Sequence, residues 1–155
     1  MLKRVFLFLL SVVSIALLTG GCATVKELTP EERKGEPKTT EYKISRELLV
    51  NFVNKDFAKV CKNLSPENKK KFDTKKVEEV HTEISKSLGT PVSFTYLTEL
   101  EFVTFKLYVW KVKFQRQGKD PETGEEKDFY SEALFRVITG RPARGEVMIM
   151  GFNFL

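Results

Sequence analysis

The stretch Lys106-Leu107-Tyr108-Val109-Trp110-Lys111-Val112-Lys113-Phe114-Gln115-Arg116-Gln117 decides the fold class. Its period is two. Tyr108, Trp110, Val112 and Phe114 fall on one side and Lys111, Lys113 and Gln115 on the other, so about Lys106 to Gln117 reads as a long strand with one face on a core and one in water. Gly118 to Lys127 follows and contains Asp120-Pro121-Glu122-Thr123-Gly124, a hairpin turn in which proline fixes φ and glycine accepts a positive one. The next strand is expected at about Asp128 to Ile138, with Phe129, Ala133, Phe135 and Val137 on a common face. Gly140 to Gly145 then turns into Glu146 to Phe154, where Met148, Met150, Phe152 and Phe154 alternate. Upstream, Val92 to about Glu101 is a first strand, with a bend near Phe102 to Phe105.

Before Pro91 the period is helical. Ile44, Leu48, Leu49, Phe52, Val53, Phe57, Val60, Cys61 and Leu64 recur at three- and four-residue steps, and Asn54-Lys55-Asp56 divides them into two helices, with Asp56 or Asn54 as the second cap. Ser65-Pro66 opens a short helix to about Phe72 with an N-cap and a proline at the first helical position. Asp73 caps another, which carries Val77, Val80, His81, Ile84 and Leu88 on one face and stops at Gly89. Helices followed by an antiparallel meander define an α+β class in which amphipathic helices pack on a curved, cone-like sheet.

The whole chain has 155 residues, 41% hydrophobic and 30% charged, with a formal net charge of +5. That balance excludes a disordered or collagen-like chain, and two cysteines exclude a disulfide scaffold. The N-terminus departs from the rest. Lys3 and Arg4 precede an apolar run from Val5 to Leu18, broken only by Ser11 and Ser14 and too short for the roughly 20 residues of a membrane-spanning helix. It reads as an export signal. The Leu18-Thr19-Gly20-Gly21-Cys22-Ala23 segment that follows resembles the lipobox of bacterial lipoproteins, which implies diacylglycerol on the Cys22 sulfur, cleavage before Cys22 and an acylated N-terminus.

The expected organisation is therefore a signal peptide over 1–21, a lipidated cysteine and flexible linker over 22–40, and one domain over 41–155. Pro30, Gly35 and Pro37 interrupt the mixed-charge linker. Losing Lys3 and Arg4 with the signal leaves a mildly basic chain. Lys69, Lys70, Lys71, Lys75 and Lys76 form a local patch, but an exported chain without a groove-reading motif is not expected to bind nucleic acid. With Cys22 acylated, Cys61 stands alone. The expected partners are membrane lipid through Cys22 and an envelope protein or small ligand, on the periplasmic face of the outer membrane where the organism has one. The oligomeric state is left open.

From Glu41 to Leu155 the element order resembles the nuclear transport factor 2-like, or cystatin-like, cone of small bacterial envelope domains. The resemblance rests on the helix ending in Asn54-Lys55-Asp56-Phe57-Ala58-Lys59-Val60, the Leu64-Ser65-Pro66 turn, the Leu88-Gly89 stop and the last strand. It implies a pocket between helix and sheet, in which the enzymes of that superfamily hold acid–base residues. His81, Tyr96, Tyr108, Trp110 and Tyr130 are the candidates to line it. His81 is the only histidine, so a two-histidine metal site or acid–base pair is excluded, and Cys61 becomes a nucleophile only where it meets His81. There is no phosphate-cradling glycine loop, nucleophile elbow, or zinc or calcium ligand series, and no cofactor or metal is expected. A non-enzymatic binding domain is the first expectation. A small isomerase, dehydratase or hydrolase using His81 or Asp56 is the alternative, as is an assembly or chaperone module.

Overall fold

The computed structural model describes residues 35–142 and 145–155; the segments expected to be export signal, lipidated Cys22 and linker lie, as far as Lys34, outside the described residues. Four helices come first, α1 Thr40–Val53, α2 Phe57–Lys62, α3 Pro66–Lys71 and α4 Thr74–Leu88. Four strands follow, β1 Thr90–Glu101, β2 Phe105–Lys119, β3 Glu126–Gly140 and β4 Met148–Phe154, in one antiparallel sheet of order β1-β2-β3-β4. The α+β class and the helices-then-meander order stand as the residue periodicities require.

Each helix boundary has a local cause. Lys55 takes φ +61 and ends the first helical run, and the Asp56 carboxylate accepts from Lys59 N to start α2. Ser65 caps α3, with Pro66 inside its first turn, and Asp73 caps α4 through Lys76 N. Gly89 ends α4 at φ +102, and any Cβ there would run into the Gln115 carbonyl, so glycine is required twice over.

The core lies between α1 and the inward face of the sheet. Trp110, Tyr108, Phe52, Phe114 and Phe135 are fully buried, each contributing about 1.5–3 kcal/mol by its removal from water. Phe52 stacks on Phe135 and approaches Phe154, while Tyr42, in the first turn of α1, stacks on Trp110. The α2–α3 junction is pinned to the start of β4, where Ser65 N donates to Ile149 O and Ile149 N to Asn63 O.

Register irregularities bend the sheet and change which side chains face inward. Between Ile138 and Thr139 the β3–β4 pairing slips, so Thr139 faces Ile149 while Val137 faces Phe152. Met150 is the extra residue. Strict alternation of Met148, Met150, Phe152 and Phe154 is thereby corrected: Ile149 is fully buried, Phe152 and Phe154 pack on the core, and Met150 is exposed. In β1 the slip between Tyr96 and Thr98 has the same effect, because Tyr96 pairs with Trp110 and Glu99, not Thr98, pairs with Tyr108.

Candidate functional site

The β1 slip builds an unusual corner. Tyr96 and Glu99 both stand on the inward face, beside Trp110 and Tyr108 of β2, and α1 lays Tyr42 across them. The ring centroids of Tyr42 lie 5.2 Å from Tyr96, 5.9 Å from Tyr108 and 5.3 Å from Trp110, and Tyr96 is 5.3 Å from Trp110. Below this wall the Trp110 indole N–H donates to Ser45 Oγ at 3.2 Å, and at its rim the hydroxyls of Thr39 and Tyr108 are 3.3 Å apart. Arg46, one helical turn after Tyr42, sets its guanidinium 5.9 Å from the Phe94 ring centroid.

Among the described residues, Glu36 Oε1, Tyr42 OH, Arg46 Nε and Nη2, and Glu99 Oε2 are buried without a hydrogen bond of good geometry, although Glu36 lies close enough to Tyr42, and Glu99 to Tyr108, to act on their phenols. Buried donors and acceptors are rarely left unpaired, since each costs about 1–3 kcal/mol. Donors of Tyr42 and Arg46 and acceptors of Glu36 and Glu99 are grouped here. A small polar ligand at the rim of this corner would meet a guanidinium, two carboxylates and closely packed aromatic rings.

Burial pushes the Tyr42 phenol far above its ordinary range, the nearby Glu36 carboxylate adding to it, and raises Tyr96 as well. Tyr108 is pushed up to about 12, chiefly by burial, against the opposing effect of its Thr39 contact. At neutral pH all three phenols keep their protons. Protonated, they are hydrogen-bonding groups rather than bases.

Of the residues singled out in the sequence, Tyr96, Tyr108 and Trp110 come together. His81 and Tyr130 stand apart from them. His81 is buried on α4 between Phe52 and Phe57, at centroid distances of 5.1 and 5.3 Å, with Ser85 Oγ 3.4 Å from Nδ1 and Nε2 without a partner among the described residues. Burial, with Lys55 nearby, lowers its pKa and keeps the imidazole neutral. Tyr130 pairs with Gln115 on the outward face and is 55% exposed, with Lys113 Nζ 4.2 Å from its ring centroid. The two-residue period fixes that outcome, since its neighbours Phe129 and Ser131 share the inward side.

The other titratable candidates have local roles. Cys61 Sγ donates to the Phe72 carbonyl at 3.6 Å, and burial raises its thiol pKa, so a thiolate is disfavoured. Asp56 caps α2 and pairs with Lys59 at 2.6 Å, which holds its carboxyl below the usual range. Among the described residues no group of three or more His, Cys, Asp and Glu side chains is placed to hold a metal ion. Sequence reasoning missed Glu36, Tyr42, Arg46 and Glu99. The four-residue step from Tyr42 to Arg46 was visible, but Glu99 turns inward only through the bulge.

A concavity lies at the neighbouring end of the sheet. Its volume is about 390 Å³, and Glu41, Phe102, Phe105, Lys106, Thr139 and Arg141 are among its lining residues. Arg141 grips the Glu41 carboxylate through Nη2 at 2.7 Å and Nε at 3.0 Å, holding that carboxyl below its ordinary range.

No protein-family model and no curated protein matches this chain. Solved structures resemble it distantly, two of them as follows. One is a SEC-C motif-containing protein from Rhodopseudomonas palustris, 19% identical, with a TM-score of 0.43 over 71% of this chain and 78% of that one. The other is a ketosteroid isomerase-like protein from Erwinia carotovora atroseptica, 10% identical, with a TM-score of 0.44 over 70% and 87% of the two chains. Likenesses at this level assign neither a family nor an activity.

Proposed function

We propose that the chain is an exported lipoprotein, cleaved before and acylated on Cys22, whose α+β domain binds a small polar ligand in the corner formed by Tyr42, Arg46, Tyr96, Glu99, Tyr108 and Trp110. Binding without chemistry is the reading favoured by protonated phenols and by the engagement of His81, Cys61 and Asp56 elsewhere. The observation that carries it is the grouping of buried polar atoms of Glu36, Tyr42, Arg46 and Glu99, without a hydrogen bond of good geometry among the described residues, beside an aromatic wall. The export signal and the Leu18-Thr19-Gly20-Gly21-Cys22 motif support the membrane tether. More than one acyl chain makes such a tether stable, each buried methylene contributing about 0.8 kcal/mol. The place proposed is the cell envelope, on the periplasmic face of an outer membrane where one exists.

Two substitutions separate the halves of this reading. Cys22→Ser moves the chain from the membrane fraction to the soluble one; a processed Cys22→Ser chain that stays with membranes contradicts the anchor. Arg46→Leu leaves the fold in place but empties the corner, so small molecules released on denaturing the envelope-purified wild type are missing from the variant. Equal release from both contradicts the site.

A further inference from the structure

The β1–β2 hairpin ends in an apolar tip. Phe102 stacks on Phe105 at 4.4 Å between centroids, yet Phe102 remains 47% exposed, Leu100 48%, and Val103 at the apex is fully exposed. An isolated apolar side chain on a surface is ordinary, but three within four residues at a hairpin apex mark a contact surface. Among the described residues the cations beside it are ion-paired, Lys106 with Glu101 at 3.3 Å and Arg141 with Glu41 at 2.7 Å, so there the tip presents apolar surface inside a neutralised rim.

The course of the chain indicates what the tip faces. Glu41, in the first turn of α1, lines the same 390 Å³ cavity as Phe102, Val103 and Phe105 and holds Arg141 across it. The linker therefore enters the fold at the pole that carries the tip. After the proposed cleavage, 13 residues, Cys22 to Lys34, precede the described part, which gives roughly 40 Å of reach when fully extended. The opposite pole, with the Asp120–Gly124 turn, lies at the far end of β2, a 15-residue strand. We infer that the hairpin tip Leu100–Val103 seats in the lipid surface to which Cys22 tethers the chain, with Lys106 and Arg141 at the level of the headgroups. This rests on the proposed acylation of Cys22. Seating fixes the domain's orientation, so that its ligand corner, around Tyr42 and Glu99, opens close to the membrane.

The test uses the full acylated chain in phosphatidylcholine vesicles whose acyl chains carry bromine, a contact quencher of indole emission. Val103→Trp places a reporter at the apex and Glu122→Trp one at the other pole, both at exposed positions; Trp110, fully buried, is the shared background. Acylation and vesicle retention are read first by mass and by flotation. The expected result is quenching of the Val103→Trp reporter at least about two-fold stronger than that of Glu122→Trp, and unchanged at high salt because the rim charges are paired. Equal quenching in an acylated, retained chain overturns the inference and leaves the anchor standing. An unacylated chain that leaves the vesicles removes the anchor and the inference together. A concentration-dependent blue shift at Val103→Trp without bromine quenching assigns the tip to a second copy of the chain, and quenching abolished by salt assigns the contact to the lysines of α3 and α4. Either result overturns the inference.

Discussion

Trp110 and Ser45 are joined by a buried hydrogen bond of 3.2 Å across 65 residues, the indole N–H donating to a hydroxyl that has no contact with water. The bond ties the middle of β2 to α1 directly beneath the aromatic wall. Ser45→Ala leaves the indole N–H buried and unpaired and is expected to cost about 1–3 kcal/mol, read from urea unfolding followed by circular dichroism. In the Trp110→Phe background the same change costs less, because no donor is left waiting. Equal losses in both backgrounds would mean that the bond does not couple helix to sheet.

Alkaline pH loosens the fold through the buried phenols. In the unfolded chain tyrosine ionises near 10, whereas folding raises Tyr42 and Tyr96 and pushes Tyr108 up to about 12. The folded state then holds protons that the unfolded state has lost, so this contribution is complete below pH 10 and falls as pH rises through the folded values. Tyr108→Phe is expected to flatten the decline between pH 10 and 12. Absorbance titration of phenolate in the folded protein checks the cause, since all tyrosines ionising together near 10 would contradict it.

His81 acts at the other end of the scale. Its folded pKa lies below the unfolded 6.5, chiefly by burial, so its contribution is present above 6.5 and is lost as pH falls through the folded value. His81→Leu keeps an apolar filling between Phe52 and Phe57 and is expected to reduce the loss of stability on acidification below 6.5. Comparing the two proteins' stabilities at matched pH isolates this contribution from that of the carboxylates. Parallel curves would show that the imidazole does not titrate against the fold.

Local physics made most of the architecture readable. Asp56, Ser65, Asp73 and Gly89 act at the helix ends where their side chains or conformations demand, and Tyr108, Trp110, Val112 and Phe114 share a face because the strand period is two. Bulges were not readable, because an extra residue in one strand is set by its partner and leaves no mark on its own alternation. For that reason Met150 falls out of the row it appeared to share with Phe152, and Glu99 turns inward. His81 and the tyrosines lie on apolar faces of different elements, α4 against Phe52 and Phe57, and β1 and β2 against Tyr42; periodicity gives the face of each element but not which faces meet.

Native mass spectrometry of the wild-type chain, extracted in detergent from its own envelope, tests the central claim of a tethered binding domain most directly. The account predicts a chain that begins at an acylated Cys22 and carries one small non-covalent ligand. An unacylated chain, or an acylated one with its aromatic corner free of any small molecule, would contradict it.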